Sequence, residues 1–189
     1  MSSTNRPIVK VKQLTGWDEA LWAARFTVNK GDLPTHEPSD EWKRKMLLAE
    51  HSPIRCVTYR IECYNVPAWV CTHLVRHHIG VEKFVATQRV DRNKSLLGKN
   101  RNELPQGLPT NIAFVLNAQS LINISRQRLC NMASKETREL WQAVKEAIAE
   151  IDPIMASAMV PNCVYRGSCP EMNPCFEKNE DKYKVKPLK

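Results

Sequence analysis

Between Arg55 and Cys63 the chain alternates without a break, and this run constrains the fold more than any other feature. Val57, Tyr59, Ile61 and Cys63 fall on one face, and Cys56, Thr58, Arg60 and Glu62 on the other. A period of two with one apolar face is a half-buried strand. Such a strand cannot be stable alone, so a covering layer must be found elsewhere in the chain.

The covering layer is written in helical periods. Leu21, Trp22 and Phe26 sit at helical spacing within 17–29, and Gly31 and Pro34 end that segment. A short basic helix is expected around 41–48, leading into Glu50-His51-Ser52-Pro53. Asn65 suits a cap and Pro67 a first helical turn. That predicts a helix through Trp69, Val70, Leu74 and Arg76 to His78, stopped by Gly80. Residues 111–128 are expected to form one helix. Ser134 is placed to cap another, in which Leu140, Trp141, Val144, Ile148 and Ile151 make an apolar stripe until Pro153. Two further strands are expected, a weakly alternating one at 8–13 and one at 83–90, where Val85, Thr87 and Arg89 share a face. Residues 91–109 read as a loop. The expected class is α+β, a small mixed or antiparallel sheet covered by helices. It would be one domain over 1–175, followed by a charged tail, 176–189, expected to be mobile.

Composition narrows the setting. With 189 residues and 42% hydrophobic content, a core forms without disulfide staples. Seven scattered cysteines fit reduced thiols. The N-terminus is polar, and no apolar run is long enough to span a bilayer, so a cytoplasmic setting with no membrane partner is expected. The formal charge of +8 favours anionic ligands. The basic residues are spread along the chain, and no dedicated nucleic-acid partner is expected.

Neither G-x-G-x-x-G nor G-x-x-x-x-G-K occurs, so a nucleotide site must be assembled from side chains on several elements. The densest candidate is His73-Leu74-Val75-Arg76-His77-His78 followed by Thr87-Gln88-Arg89. On a helix, His73 and His77 lie one turn apart beside Arg76. The bland alternative is a solvated helix end whose His and Arg complement the dipole. The spacing of His73 and His77 also occurs in zinc sites, but position 74 is Leu where a metalloprotease helix carries Glu, and no metal is assigned. A second candidate is Asn117-Ala118-Gln119-Ser120-Leu121 with Asn123, Arg126 and Arg128. Two polar stripes in an apolar helix need partners, either a ligand or a neighbouring subunit.

Taken in order, these motifs resemble the flavin-dependent thymidylate synthases. The resemblance rests on His51-Ser52, Arg76-His77-His78, Thr87-Gln88-Arg89, Arg101-Asn102-Glu103-Leu104-Pro105, and Asn117-Ala118-Gln119-Ser120-Leu121 leading to Arg128. It implies FAD as cofactor, held by His51, Ser52, Arg76, His77, His78, Asn117, Gln119 and Asn123. It implies a dUMP-like nucleotide bound by His73, Arg76, Thr87, Gln88, Arg89, Arg101 and Arg128. Arg128 would lie against the uracil ring as the catalytic group, with NADPH and methylenetetrahydrofolate as co-substrates. It also implies a homotetramer whose active sites are shared between subunits.

The chain departs from the family pattern in several places. His78 replaces the second Arg of an Arg-His-Arg signature, Thr87 stands for a Ser, and Lys83-Phe84 stands where the family has an Asn-Glu pair. His73 replaces a Gln, and Met132 a common His. These departures keep two alternatives open: a different 5-substituted product, such as a hydroxymethylated nucleotide, or a non-catalytic nucleotide- or nucleic-acid-binding relative. Cys163, Cys169 and Cys175 are read as free thiols or a structural site. Cys130, about 200° around a helix from Arg128, is expected to point away from the site and to be buried.

Overall fold

The computed structural model describes residues 7–32, 34, 36–172 and 174–175. Four strands, β1 (Ile8–Thr15), β2 (Thr58–Pro67), β3 (Val81–Val85) and β4 (Pro109–Asn117), form one antiparallel sheet in the order β1-β2-β4-β3. The helices among the described residues are α1 (Trp17–Phe26), α2 (Asp40–Ala49), α3 (Ala68–Leu74), α4 (Ala118–Arg128), α5 (Lys135–Ile151), α6 (Pro153–Ala158) and α7 (Asn162–Arg166). The class is α+β, as the patterning implies, and the sheet is wholly antiparallel. None of the described helices is long and apolar enough to cross a membrane.

The alternation in β2 sets the core. Val57, Tyr59, Ile61 and Cys63 are all buried, as are Ile112, Phe114 and Leu116 on β4. Against them lies α5, whose Trp141 meets Phe114 edge-on at 6.1 Å. Leu140, Val144 and Ile148 of the same helix are buried, while Ile151, at its end, is exposed. Asp152 is buried beneath this layer. Its carboxylate accepts from Trp17 Nε1 and Tyr59 Oη, each at 2.7 Å, and from the Met155 amide at 2.9 Å. A charge taken out of water needs that many donors.

Several expected boundaries move. Residues 111–128 are not one helix: the chain runs as β4 to Asn117 and turns helical at Ala118. Pairing of β4 with both β2 and β3 overrides the local reading, because a short apolar run fits either period. The third helix stops at Leu74 rather than His78, so Arg76, His77 and His78 stand in a turn. His73 and His77 are therefore not stacked one helical turn apart. β3 ends at Val85, where its pairing with Ile112 ends, so Thr87 and Arg89 leave the strand. The first helix ends at Phe26 rather than 29. Asn65 does not cap α3; it sits at φ 60° in a β2 irregularity between Cys63 and Val66, and Pro67 is the residue before the helix. Ser134 holds the N-cap position of α5, as expected, but its hydroxyl meets Thr137 Oγ1 at 2.8 Å instead of a backbone N–H. The tail 176–189 lies outside the described residues.

Candidate functional site

The junction of β4 and α4 builds the site. Asn117 caps α4, its Oδ1 accepting from the Ser120 amide at 2.9 Å. The Ser120 hydroxyl bonds the carbonyls of Ile79 at 2.8 Å and Gly80 at 3.0 Å. The start of α4 is thereby fastened to the turn that follows α3. Gly80 is needed there on two counts. Its φ is +65°, and a Cβ would lie 2.6 Å from Ser120 Oγ and 2.7 Å from Asn117 Nδ2.

From the fastened start, eleven helical residues carry the chain to Arg128, which returns to the same turn. Arg128 Nε donates to His77 Nε2 at 2.8 Å, and an Nη donates to the His73 carbonyl at 2.7 Å. Arginine only donates, so the His77 ring must accept at Nε2. Burial, reinforced by Arg128, Lys83, His78 and Arg76, pushes His77 down to about 4. A neutral imidazole is the result at physiological pH. Lys83 Nζ donates to the His77 carbonyl at 2.6 Å and fixes the turn from the β3 side.

Around this pair opens a cleft of about 680 Å³, lined by Arg76, His77, His78, Asn123, Arg126 and Arg128, with Asn162 and Arg166 contributed by α7. Its size is that of a small-molecule or cofactor site. Of its four guanidinium groups, Arg126 is the one with a carboxylate partner, Glu50, among the described residues. Planar donors without acids suit a ligand bearing phosphate or carbonyl oxygens.

The structure thus gathers Arg76, His77, His78, Asn123 and Arg128 at one place. Gln119 stands behind them, donating to Asn123 Oδ1 at 3.3 Å. Asn117 serves as a cap, with its Oδ1 already occupied. The His73 ring is turned away to Thr137 Oγ1 at 3.1 Å and Trp69, and only its carbonyl meets Arg128. His51 and Ser52 are exposed at the start of a 3-10 turn and do not line the cleft. Thr87, Gln88, Arg89 and Arg101 are likewise absent from its lining. They belong to the β3–β4 connection, where Arg89 pairs with Asp91 at 2.6 Å.

Cys130 lies just past α4 and outside the cleft lining, but it is half-buried rather than buried. Its thiol is pushed up by burial, with smaller contributions from Glu171, Cys175 and Cys169. Sequence reasoning missed Glu50 and Arg166. The first sits directly before the His51-Ser52 motif, which was the available signal; nothing local marks the second.

The family model described as Thymidylate synthase complementing protein matches residues 98–154, which contain β4, α4 and α5. The flavin-dependent thymidylate synthase of Pyrococcus horikoshii is 35% identical over an alignment covering 89% of this chain and 87% of the relative. That of Pyrococcus abyssi is 26% identical, with 95% and 93% covered. Among solved structures, the UMP/dUMP methylase PolB from Streptomyces cacaoi, bound with 5-Br dUMP, aligns with a TM-score of 0.64 at 14% identity, covering 80% of this chain and 94% of that one. Thymidylate Synthase X from Helicobacter pylori, with FAD and dUMP, aligns at 0.62 and 18%, covering 80% and 99%. At such identities these two likenesses concern the fold. With a relative 35% identical aligned along most of both chains, this chain belongs to the flavin-dependent thymidylate synthase family.

Proposed function

We propose that the chain catalyses the reductive methylation of dUMP to dTMP, with FAD as cofactor and NADPH and methylenetetrahydrofolate as co-substrates. The observation that carries this reading is Arg128, held by a neutral His77 and the His73 carbonyl at a cleft whose remaining lining is rich in cations and amides. The relatives named above are flavin-dependent thymidylate synthases, and the Helicobacter pylori structure contains FAD and dUMP.

The residues present fit a flavin dinucleotide. Arg76 and Arg166 have no acid partner among the described residues, Asn123 faces the cleft, and Arg126 Nε is buried without a hydrogen bond. Bound FAD, once reduced by NADPH, supplies the hydride that completes the methyl group. Arg76, His77, His78 and Asn123, which line the cleft, would hold and orient it, with Gln119, Asn117, His51 and Ser52 outside that lining completing the set. Arg128 places a fixed positive charge where negative charge develops on the pyrimidine, stabilising it without reorganisation. Its two hydrogen bonds aim the guanidinium before substrate arrives. Thr87, Gln88, Arg89 and Arg101, with Arg76, would bind the nucleotide, and His73 would act through the carbonyl that holds Arg128. The assembly is a cytoplasmic homotetramer of single-domain subunits (1–175 plus the tail).

A second reading is favoured by one specific departure. Lys83 spends its ammonium on the His77 carbonyl, and Phe84 is 61% exposed on β3, where the family has an Asn-Glu pair. A site altered there suits a different 5-substituted pyrimidine nucleotide. One experiment separates the readings. The purified chain should show flavin absorbance that shifts on adding dUMP, and its product should be dUMP plus one methyl group by mass. A hydroxymethylated product supports the second reading, and a colourless protein that binds nucleotide without turnover overturns both.

A further inference from the structure

Glu50 ends α2 in the left-handed region, at φ 49°. Glycine or asparagine is usual at such a helix end, and a longer L side chain is disfavoured. The Glu50 side chain is held there by three donors. Gln119 Nε2 donates to Oε2 at 2.5 Å, an Arg126 Nη donates to Oε1, and the Tyr165 hydroxyl also bonds the carboxylate. The Arg126 guanidinium in turn lies 3.6 Å over the Tyr165 ring. One carboxylate thus ties the end of α2 to α4 and α7, two of the elements that wall the cleft. Burial pushes Glu50 up, but the hydrogen bonds from Arg126, Tyr165 and Gln119 outweigh it and hold the carboxyl below its ordinary range. It stays ionised at neutral pH.

An ionised carboxylate only accepts. Gln119 must therefore turn its NH2 toward Glu50. The same Nε2 also donates to Asn123 Oδ1 at 3.3 Å. Asn123 must answer with its oxygen, and so it keeps its own NH2 for the cleft it lines. The oxygen and nitrogen ends of an amide have nearly the same shape, so sterics alone do not choose the orientation of either residue. The charge on Glu50 does.

We infer that Glu50 is a positioning residue which, through Gln119, fixes Asn123 with its N–H donors toward the ligand, so that the cleft selects an acceptor-bearing group, a carbonyl or phosphate oxygen, at that point. The inference rests on the flavin reading for the identity of that ligand, but not for the orientation of the amides.

The test uses the full chain, first without ligand and then titrated with FAD. In the unliganded protein, side-chain amide proton exchange by NMR should be slow for Gln119 and fast for Asn123. Glu50→Gln should weaken FAD binding by roughly tenfold, the scale of one lost charged hydrogen bond. The decisive variant is the swap Glu50→Gln with Gln119→Glu. It rebuilds the amide–carboxylate contact between the two positions but not the ion pair with Arg126, so the melting temperature should recover above that of Glu50→Gln alone. The carboxylate that the swap puts at position 119 has no donor for Asn123, so Asn123 must flip, its NH2 exchange must slow, and FAD affinity must stay at least about tenfold weak. A merely structural Glu50 would recover that stability and leave the Asn123 NH2 exchanging as fast as in the wild type. Wild-type affinity in the swap, or unchanged Asn123 exchange, overturns the inference. A wild-type chain that shows the exchange pattern but binds no FAD supports the amide orientation and instead overturns the flavin reading.

Discussion

His77 is an acceptor because burial, and then its cationic surroundings, keep the ring neutral. Arg128 donates to it directly, and Lys83, His78 and Arg76 stand close enough to disfavour its protonation. Its folded value, about 4, lies below the ordinary 6.5, so the unfolded chain binds the extra proton first as pH falls. The stability tied to neutral His77 is therefore complete above about pH 6.5 and is lost as the pH drops from there to about 4. Discounted for the screening of a half-exposed ring, the loss is about 1 kcal/mol. Urea unfolding of the wild type across this window should show the slope, and His77→Gln, whose amide oxygen can accept without titrating, should flatten it. An equal slope in both proteins would assign the effect to other groups. Residues of this kind were partly legible. Arg128, His77, Arg76 and Asn123 stand in motifs whose order and spacing survive in the chain. Glu50 was not legible as a partner of Gln119 and Arg126, because 69 and 76 residues separate them and only the tertiary fold brings them together.

At the scale of elements, the switch from β4 to α4 decides where the site lies. Ile112, Phe114 and Leu116 alternate onto the core, and Leu121, Ile122 and Ile124 continue it at helical spacing. The two patterns abut with no glycine or proline between them, which is why 111–128 reads locally as one helix. What divides them is Asn117, strand-paired with Thr58 and capping the next helix. By contrast, the core faces of β2 and α5 could be read directly, although β2 starts at Thr58, after a 3-10 turn over Ser52–Cys56, rather than at Arg55, and Ile151 is exposed. Asn117→Ala should cost about 1 kcal/mol in unfolding free energy, the usual value of a lost cap. Asn117→Asp keeps the accepting oxygen and should retain most of that stability. If the two variants are equally destabilised by denaturant titration, the cap is not what Asn117 contributes.

The whole molecule presents its proposed ligand groups in two places. Arg128 and His77 line the cleft beside α4, while Thr87, Gln88, Arg89 and Arg101 sit on the long β3–β4 connection outside that lining. No pattern in one sequence reports which copy of a chain completes a site, so motif order could assign both groups to one function without showing that they are separate. Both groups must act on a single nucleotide if the proposed function holds. A symmetric assembly would solve this by letting one subunit's connection complete its neighbour's cleft. Arg128→Ala and Arg101→Ala should then each be inactive alone, the first for lack of charge at the pyrimidine and the second for lack of a phosphate clamp. Mixed in equal amounts and allowed to exchange subunits, they should regain about a quarter of the wild-type sites, since random pairing leaves that fraction with both arginines. Activity on mixing, followed alongside subunit exchange by native mass spectrometry, gives the answer. Complete exchange with no recovery would mean that Arg101 and Arg128 serve the same cleft from the same chain.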